Sequence, residues 1–290
     1  ADDPLLESRP DFALLRGASR VMAGDLEGAE KDLTLPALAN APEAVLWLGA
    51  MAAAAGDWDR AATAFSQAGQ LLGTEPPSLA PFLSLPAAVT AVETGDHELA
   101  SRRLATLSEI TGREADEWPA FAYLLGRISE ANGNREEAVA AYRRAAGADD
   151  DQLYRTRAEM ALLRLGREAG EITPLAAAER LEGLQYGWRG DPVQHELLIQ
   201  LGDSYWQAGQ YREALESWAE AIQNFPDLPA SIALQEERAK RIEELFSTDA
   251  LNTLSPIAAA SLYEDFKALM PGGTVGDQVI RRLADDHRGW

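Results

Sequence analysis

Histidine is the residue type best suited to a general base or a metal ligand, and it occurs at His97, His195 and His287. No two of these lie at the short spacing that a histidine-based metal site requires. We expect His97 to lie in a turn and His195 to open a helix, both with a solvated imidazole. The sequence also has no glycine loop ending in Gly-Lys-Ser/Thr and no Gly-x-Ser-x-Gly nucleophile turn.

Carboxylates are abundant, and two arrangements of them could support chemistry. The run Asp149-Asp150-Asp151 could bind calcium, but it lacks the glycine and the distal glutamate of an EF-hand loop. We interpret it as a charged loop. Glu93 and Glu130 could supply the two carboxylates that sugar cleavage needs, but the sequence around them resembles no catalytic domain. We therefore predict no catalytic residue, no cofactor and no metal ion, and we predict that the protein is not an enzyme.

The charge of the chain excludes some classes of partner. The sequence has 47 acidic and 26 basic residues, which gives a formal net charge of −21. Such a charge repels the phosphates of nucleic acids and of anionic membrane surfaces, so we predict neither as a partner. No apolar run is long enough to cross a bilayer. We therefore predict no direct membrane insertion.

The cellular location is indicated only at the N-terminus. The chain has no cysteine, which is compatible with the cytoplasm or the periplasm. It begins Ala-Asp-Asp-Pro, and small residues are typical of the mature end left by signal-peptide cleavage. A trimmed expression product would look the same. We favour a periplasmic over a cytoplasmic location.

A recurring turn signature predicts how the helices are organised. A glycine is followed by a small polar residue and then, a few positions later, by an alanine. Glycine can end a helix in the left-handed conformation, and the next residue can cap the following helix. Successive copies are 32 to 39 residues apart. The glycines are Gly24, Gly56, Gly95, Gly133, the degenerate Gly170, and Gly209.

The most regular copy extends from His195 to Pro226. It carries Leu201-Gly202, Tyr205, Ala214, Trp218 and Ala221; a second good copy contains Leu48-Gly49, and a third contains Leu125-Gly126. Here the chain resembles the tetratricopeptide repeat family. The resemblance implies an all-α fold, a right-handed α-solenoid of helix-turn-helix repeats. We expect a tail over residues 1–9, about six repeats over 10–226, and over 227–290 either a C-terminal helical cap or the start of further repeats.

Several details of packing and helix position follow from the same pattern. Gly49, Gly126 and Gly202 should let the two helices of a repeat approach closely, while Phe65, Tyr142 and Trp218 should fill the space between repeats. Thr173 should cap a helix over residues 174–186. Further helices are predicted over 229–246, from residue 256, and over 276–286.

The resemblance also implies which side chains line a ligand groove, since the first helix of each repeat faces it in this family. We take as candidate partner-binding residues Tyr123, Arg127, Glu130, Arg157, Arg164, Arg167, Asp203, Trp206 and Gln207. The four arginines would form a strip that receives an acidic segment or a C-terminal carboxylate of a partner. Tyr123 and Trp206 would offer apolar anchors. Alternatively, the arginines pair with Glu130, Glu159 and Glu168 on their own surface.

The leading functional prediction is a scaffold or adaptor that binds another protein. Three phrases, at residues 186–191, 262–266 and 280–283, resemble exported tetratricopeptide proteins of alphaproteobacteria, some linked to flagellar motility. This favours a bacterial envelope or motility complex. One alternative is an enzyme acting on peptidoglycan or peptides, or the regulatory arm of one. Another is a self-associating structural protein with Trp58, Trp118 or Trp290 at contacts between copies; the oligomeric state is left open.

Overall fold

The computed structural model describes residues 9–149, 151–187, 192–247 and 256–266. Within these ranges the regular secondary structure is helical and no residue belongs to a β-strand. The predicted all-α fold is therefore confirmed for the described chain. The helices are α1 (Pro10–Ala23), α2 (Leu26–Leu33), α3 (Pro42–Ala54), α4 (Trp58–Ala68), α5 (Ser84–Glu93), α6 (His97–Ile110), α7 (Pro119–Ala131), α8 (Arg135–Ala146), α9 (Gln152–Glu168), α10 (Pro174–Gln185), α11 (Pro192–Gln207), α12 (Tyr211–Asn224), α13 (Pro229–Ser247) and α14 (Pro256–Phe266). None of the described helices is both long and apolar enough to cross a membrane.

The chain divides into two compact units, Ala1–Leu162 and Leu163–Trp290, and the division falls within α9. In the first unit, helices pair as the hairpins α1/α2, α3/α4, α5/α6 and α7/α8, and α1, α3, α5 and α7 contact one another in succession. In the second unit, α10 packs on α11, α11 pairs with α12, and α13 packs on α12. Stacking buries apolar faces that a single hairpin cannot bury alone. The predicted stack of repeats is therefore confirmed.

The turns of the hairpins have the predicted backbone conformation. All six signature glycines have a left-handed φ between 71° and 80°. Asp25, Asp57 and Asp96, which follow three of them, cap the next helix by accepting a hydrogen bond from a backbone amide. Asn134 and Gln210 occupy the same position without a side-chain cap. The turn is thus common to the repeats, whereas the cap depends on a short carboxylate side chain.

The two helices of a hairpin approach closely where the first helix carries glycine. A Cβ atom at Gly126 would lie 2.5 Å from the ring of Tyr142, and one at Gly49 would lie 3.1 Å from the ring of Phe65. In the second unit, Gly202 lies against Trp218 in the same way. The close approach at glycine is confirmed. Each of the three aromatic rings packs on the glycine of its own hairpin, and the ring of Trp218 also lies under the Arg241 guanidinium of the following helix α13. That all three rings fill the space between repeats stays a prediction.

The remaining predicted helices lie close to their expected positions. Thr173 caps α10 by accepting from the amide of Ala176, and Asp151 accepts from the amide of Tyr154 in α9 at 3.2 Å. The helices expected over 229–246 and from residue 256 correspond to α13 and α14. The predicted helix over 276–286 lies outside the described residues, as do Asp150 and Trp290.

Helix α13 contacts α11 at an offset of about one repeat. Ser231 hydrogen-bonds His195, and Arg241 pairs with Asp203. Both contacts join residues 36 to 38 positions apart, with the same chain direction. The helix therefore reaches α11 through side-chain contacts at about the repeat spacing.

Candidate protein-binding surface

The candidate partner-binding residues all lie on the first helices of repeats, but the two compact units hold different parts of the set. In the first unit, Tyr123, Arg127 and Glu130 lie on α7, and Arg157 lies on α9. In the second unit, Arg164 and Arg167 lie on α9, and Asp203, Trp206 and Gln207 lie on α11. Each part forms its own network of contacts.

Tyr123 is buried within an aromatic cluster of the first unit. Its side chain is 6% exposed, and its ring centroid lies 5.7 Å from that of Tyr142 and 5.6 Å from that of Tyr154. Burial raises the pKa of Tyr154 to about 12, although Arg157 opposes the shift. The ring of Tyr123 is thus part of the core, and the exposed apolar anchor expected at this position is absent. Sequence reasoning had not included Tyr154.

Arg127 is held by groups of its own unit. Its guanidinium lies 3.4 Å from the carboxylate of Glu93 on α5 and donates to the hydroxyl of Tyr123 at 3.2 Å. Burial lowers the pKa of Arg127, but Tyr123 and Glu93 outweigh it and the net shift is upward. Its positive charge is therefore balanced one repeat away along the chain.

Glu130 is occupied by a different partner. It accepts a hydrogen bond of 2.8 Å from the hydroxyl of Tyr142, and burial together with this bond raises the pKa of that hydroxyl. Arg157 is partly exposed on α9. The part of the arginine strip that lies in the first unit is therefore embedded in an aromatic and carboxylate network, with little free charge to offer a ligand.

The two candidate arginines of the second unit differ in the group that each one contacts, a carboxylate in one case and a hydroxyl in the other. Arg164 pairs with Glu168 at 3.1 Å on the same helix, as the alternative interpretation of the strip expected. Arg167 is partly buried and donates to the hydroxyl of Ser204 on α11, while its Nε is buried without a hydrogen-bond partner. Burial lowers the pKa of Arg167; Asp203 and Glu168 oppose that shift, and Arg164 and Arg241 add to it. Within the described chain, no carboxylate lies within ion-pair distance of Arg167.

Polar and aromatic side chains of α11 lie close in sequence to Ser204, the hydrogen-bond partner of this arginine. Asp203 pairs with Arg241 of α13 at 2.8 Å, and the Arg241 guanidinium lies 4.9 Å from the ring centroid of Trp218. Trp206 is partly exposed, with its ring 5.4 Å from that of Trp218. Gln207 is exposed beside it. Of the two predicted anchors, Trp206 is the one that retains open surface.

Both described histidines differ from expectation. His97 is the first residue of α6 rather than part of a turn, and its Nδ1 is buried without a hydrogen-bond partner. His195 is 3% exposed, so the expected solvated imidazole is wrong at this position. Its Nε2 lies 2.8 Å from the hydroxyl of Ser231. Trp58 packs against the core of the first unit, and Trp118 is partly buried before α7. Among the described residues, no group of three or more histidines and carboxylates could hold a metal ion.

Sequence models of the tetratricopeptide repeat match residues 14–71, 120–152 and 195–228. These stretches correspond to the hairpins of α1 to α4, α7/α8 and α11/α12, where the turn glycines and close helix contacts occur. The chain contains tetratricopeptide repeats. Such repeats are protein-interaction modules. The candidate residues on α7 and α11 lie within the matched stretches, whereas those on α9 lie outside them.

Two further comparisons concern whole chains. The protein is similar to a solved structure titled "Crystal structure of MamA protein", with 18% sequence identity and a TM-score of 0.39. That similarity covers 64% of this tetratricopeptide chain and 92% of the other. No curated protein sequence matches the chain.

Proposed function

We propose that this protein is an interaction scaffold that binds an acidic segment, or the C-terminal carboxylate, of a partner protein on the surface of α9 and α11 in the second unit. The observation that supports this proposal is the state of Arg167. Its guanidinium is partly buried, it donates to Ser204, and no carboxylate of the described chain lies within ion-pair distance of it.

An arginine in this state favours an anionic ligand over water. A carboxylate can accept two parallel hydrogen bonds from one guanidinium, and a charge-assisted bond is stronger than a neutral one. Because Arg167 has already lost part of its hydration, the additional desolvation on binding is small. Ser204 holds the side chain in place, which reduces the entropy lost when a ligand binds.

The neighbouring side chains suit a peptide rather than an isolated ion. Trp206 offers part of an indole ring, and aromatic side chains are common anchors in protein interfaces. Gln207 is exposed beside it and can hydrogen-bond a peptide backbone. Asp203 is engaged with Arg241, so its negative charge is balanced within the surface.

We also propose a setting for this interaction, a bacterial envelope complex with a periplasmic scaffold. The support is the resemblance of residues 186–191 and 262–266 to exported alphaproteobacterial repeat proteins, some of them linked to motility. Fractionation of the native organism tests the location directly. Recovery of the protein in the cytoplasm alone would contradict this part of the proposal.

The binding test compares two arginines with different surroundings. The full chain is immobilised, partners from the native organism are identified by mass spectrometry, and affinity for a recovered partner is measured by calorimetry. Arg167→Gln should weaken binding at least about tenfold, the equivalent of about 1.4 kcal/mol, with an unchanged thermal midpoint. The control is Arg144→Gln, which removes an exposed arginine of α8 in the other unit.

Two outcomes separate the parts of the proposal. Equal affinities for wild type and Arg167→Gln would remove the arginine site while leaving the scaffold itself in place. If binding does depend on Arg167, a partner peptide with an amidated C-terminus distinguishes an internal acidic segment from a terminal carboxylate. Amidation should lower the affinity only if the partner binds through its terminal carboxylate.

A further inference from the structure

His195 occupies a position that carries proline in several other repeats. Seven residues before the close-packed glycine, the chain has Pro10 before Gly17, Pro42 before Gly49 and Pro119 before Gly126. The same position before Gly202 is His195, and α11 begins three residues earlier, at Pro192. A titratable side chain thus replaces a residue that can neither donate from its backbone nor change its charge.

The contacts of this imidazole join two helices one repeat apart. Its Nε2 lies 2.8 Å from the hydroxyl of Ser231 on α13, and its ring centroid lies 5.4 Å from that of Phe225, edge to face. His195 is 3% exposed and Ser231 is 0% exposed. The imidazole is therefore enclosed at the point where the first turn of α13 docks on α11.

We infer that His195 makes the docking of α13 on α11 sensitive to acid. A charged imidazole enclosed by an aromatic ring and a hydroxyl loses hydration that this site does not replace. When α13 separates from α11, the imidazole regains water and can take up a proton. Undocking is therefore coupled to proton uptake, and lower pH favours the undocked state.

The surrounding charges do not offset this effect. Burial is the cause that lowers the pKa of His195. Among the described residues, the charged groups nearest to the contact along the chain are Glu196 on α11, Asp227 after α12 and Glu236 on α13, and none of them contributes to the shift. Neither does Glu179, Arg180 or Glu182 on α10, which packs on α11. Within the described chain, no carboxylate stabilises the protonated form.

The release of α13 would also change the candidate binding surface. Arg241 on α13 balances Asp203 and lies over Trp218, so undocking would leave a carboxylate uncompensated on α11. An acidic partner would then bind less well at low pH. This consequence rests on the function proposed above, whereas the acid sensitivity of the docking itself does not.

The experiment uses the absence of cysteine in the chain. Leu234→Cys places a single thiol on α13, at a side chain that is 8% exposed, and Leu181→Cys places one on α10, at 1% exposure. Each full-length variant is labelled with a disulfide reagent that reacts in acid. The labelling rate of the folded chain is divided by the labelling rate of the denatured chain at the same pH. From pH 7.5 to 5.5, labelling at position 234 should accelerate by up to about tenfold, since one proton is linked to opening below the ordinary imidazole pKa of about 6.5. Labelling at position 181 should stay constant.

Two histidine variants decide whether His195 is responsible. In the Leu234→Cys background, His195→Gln should abolish the acceleration, because an amide does not titrate, while His97→Gln should leave it intact. Titration of the imidazoles by NMR in the otherwise unaltered chain checks the same point without relying on a folded variant. A pH-independent rate at position 234, an acceleration that survives His195→Gln, or an imidazole at position 195 that titrates at its ordinary pKa would each overturn the inference.

Discussion

Asp32 is a buried carboxylate that holds two arginines in the first repeat. It is 3% exposed, and it accepts from Arg16 at 2.6 and 2.8 Å and from Arg20 at 2.7 Å. The hydrogen bonds from Arg16 are the largest cause of a lowered pKa at Asp32, and burial opposes them. Arg16 stands where leucine is usual in the repeat, and the paired carboxylate explains why a cation is accommodated there.

We expect Asp32→Asn to lower the free energy of unfolding by about 2 to 3 kcal/mol at pH 7, because two partly buried guanidinium groups lose a buried carboxylate partner; Arg20 keeps a longer contact of 3.4 Å with Asp25. A carboxylate with a lowered pKa stabilises the fold above its unfolded pKa of about 3.9 and loses that contribution as the pH falls. The variant should therefore lose less stability than wild type between pH 5 and 3. Urea titrations over this range measure both effects. Asp11→Asn, which removes an exposed pair with Arg9, should leave the urea midpoint unchanged; equal losses in the two variants would contradict the argument.

Alanine substitutions at two helical glycines should change the stability of the protein in opposite directions. A Cβ at Gly126 would lie 2.5 Å from the ring of Tyr142, which is fully buried and hydrogen-bonded to Glu130 and so cannot retreat. Gly126→Ala should destabilise the protein by about 1 to 3 kcal/mol through overpacking. Gly183 on α10 has no atom within 4 Å of such a Cβ, and Gly183→Ala should stabilise by about 0.5 to 1 kcal/mol because alanine favours helix. Denaturant titration of both variants checks the signs, and a stabilising Gly126→Ala would show that the contact is not tight.

The residues that the sequence predicted correctly are those whose role is set by the local chain. A left-handed turn glycine or a helix-facing glycine is imposed by the hairpin itself, so Gly56 and Gly126 could be identified from the repeat alone. The burial of His195 could not, because it depends on α13 reaching the same point from one repeat further along. The available signal was positional, since prolines replace the histidine in other repeats.

At the scale of helices, several side-chain contacts join positions about one repeat apart. Arg127 meets Glu93, Arg167 meets Ser204, and Asp203 meets Arg241. The alternative prediction paired the arginines with Glu130, Glu159 and Glu168, two to four residues along the same helix, and it is correct for Arg164 and Glu168. It missed the others because helix spacing, not sequence spacing, brings them together. Looking for a carboxylate 34 residues before Arg127, about one repeat earlier, would have identified Glu93 as its partner.

Helix caps test how far the turn signature determines stability. Asp96 accepts a bond of 2.9 Å from the amide of Leu99 at the start of α6, whereas Asn134 at the start of α8 donates to Glu137 and caps no amide. Asp96→Ala should cost about 1 kcal/mol, the usual value of a lost cap, and Asn134→Ala should cost less. Thermal and urea unfolding of the two variants measure the difference. A larger loss for Asn134→Ala would mean that the cap is not what stabilises these turns.

Over the whole molecule, the excess of negative charge opposes the local ion pairs. The net charge of −21 repels itself across the surface, while exposed pairs such as Lys31–Glu27 contribute little. Glu109 adds to the repulsion because it lies in the last turn of α6, at the negative end of the helix dipole, and no basic residue shares that turn. Self-repulsion should therefore outweigh the exposed pairs in the response of the molecule to salt.

We expect sodium chloride to raise the midpoint of the first thermal transition between about 0.02 and 0.3 M, because the screening length falls through about 10 Å at 0.1 M. Glu109→Gln should raise the same midpoint at low salt and make little difference at high salt, since it removes part of the charge that salt screens. The matched control is Glu27→Gln, which removes a carboxylate of an exposed pair and should have a smaller effect at low salt because Lys31 then loses its partner. Calorimetric scans at three salt concentrations measure all three chains. A midpoint that falls with salt would mean that paired charges, rather than the net charge, dominate the electrostatic stability of this repeat protein.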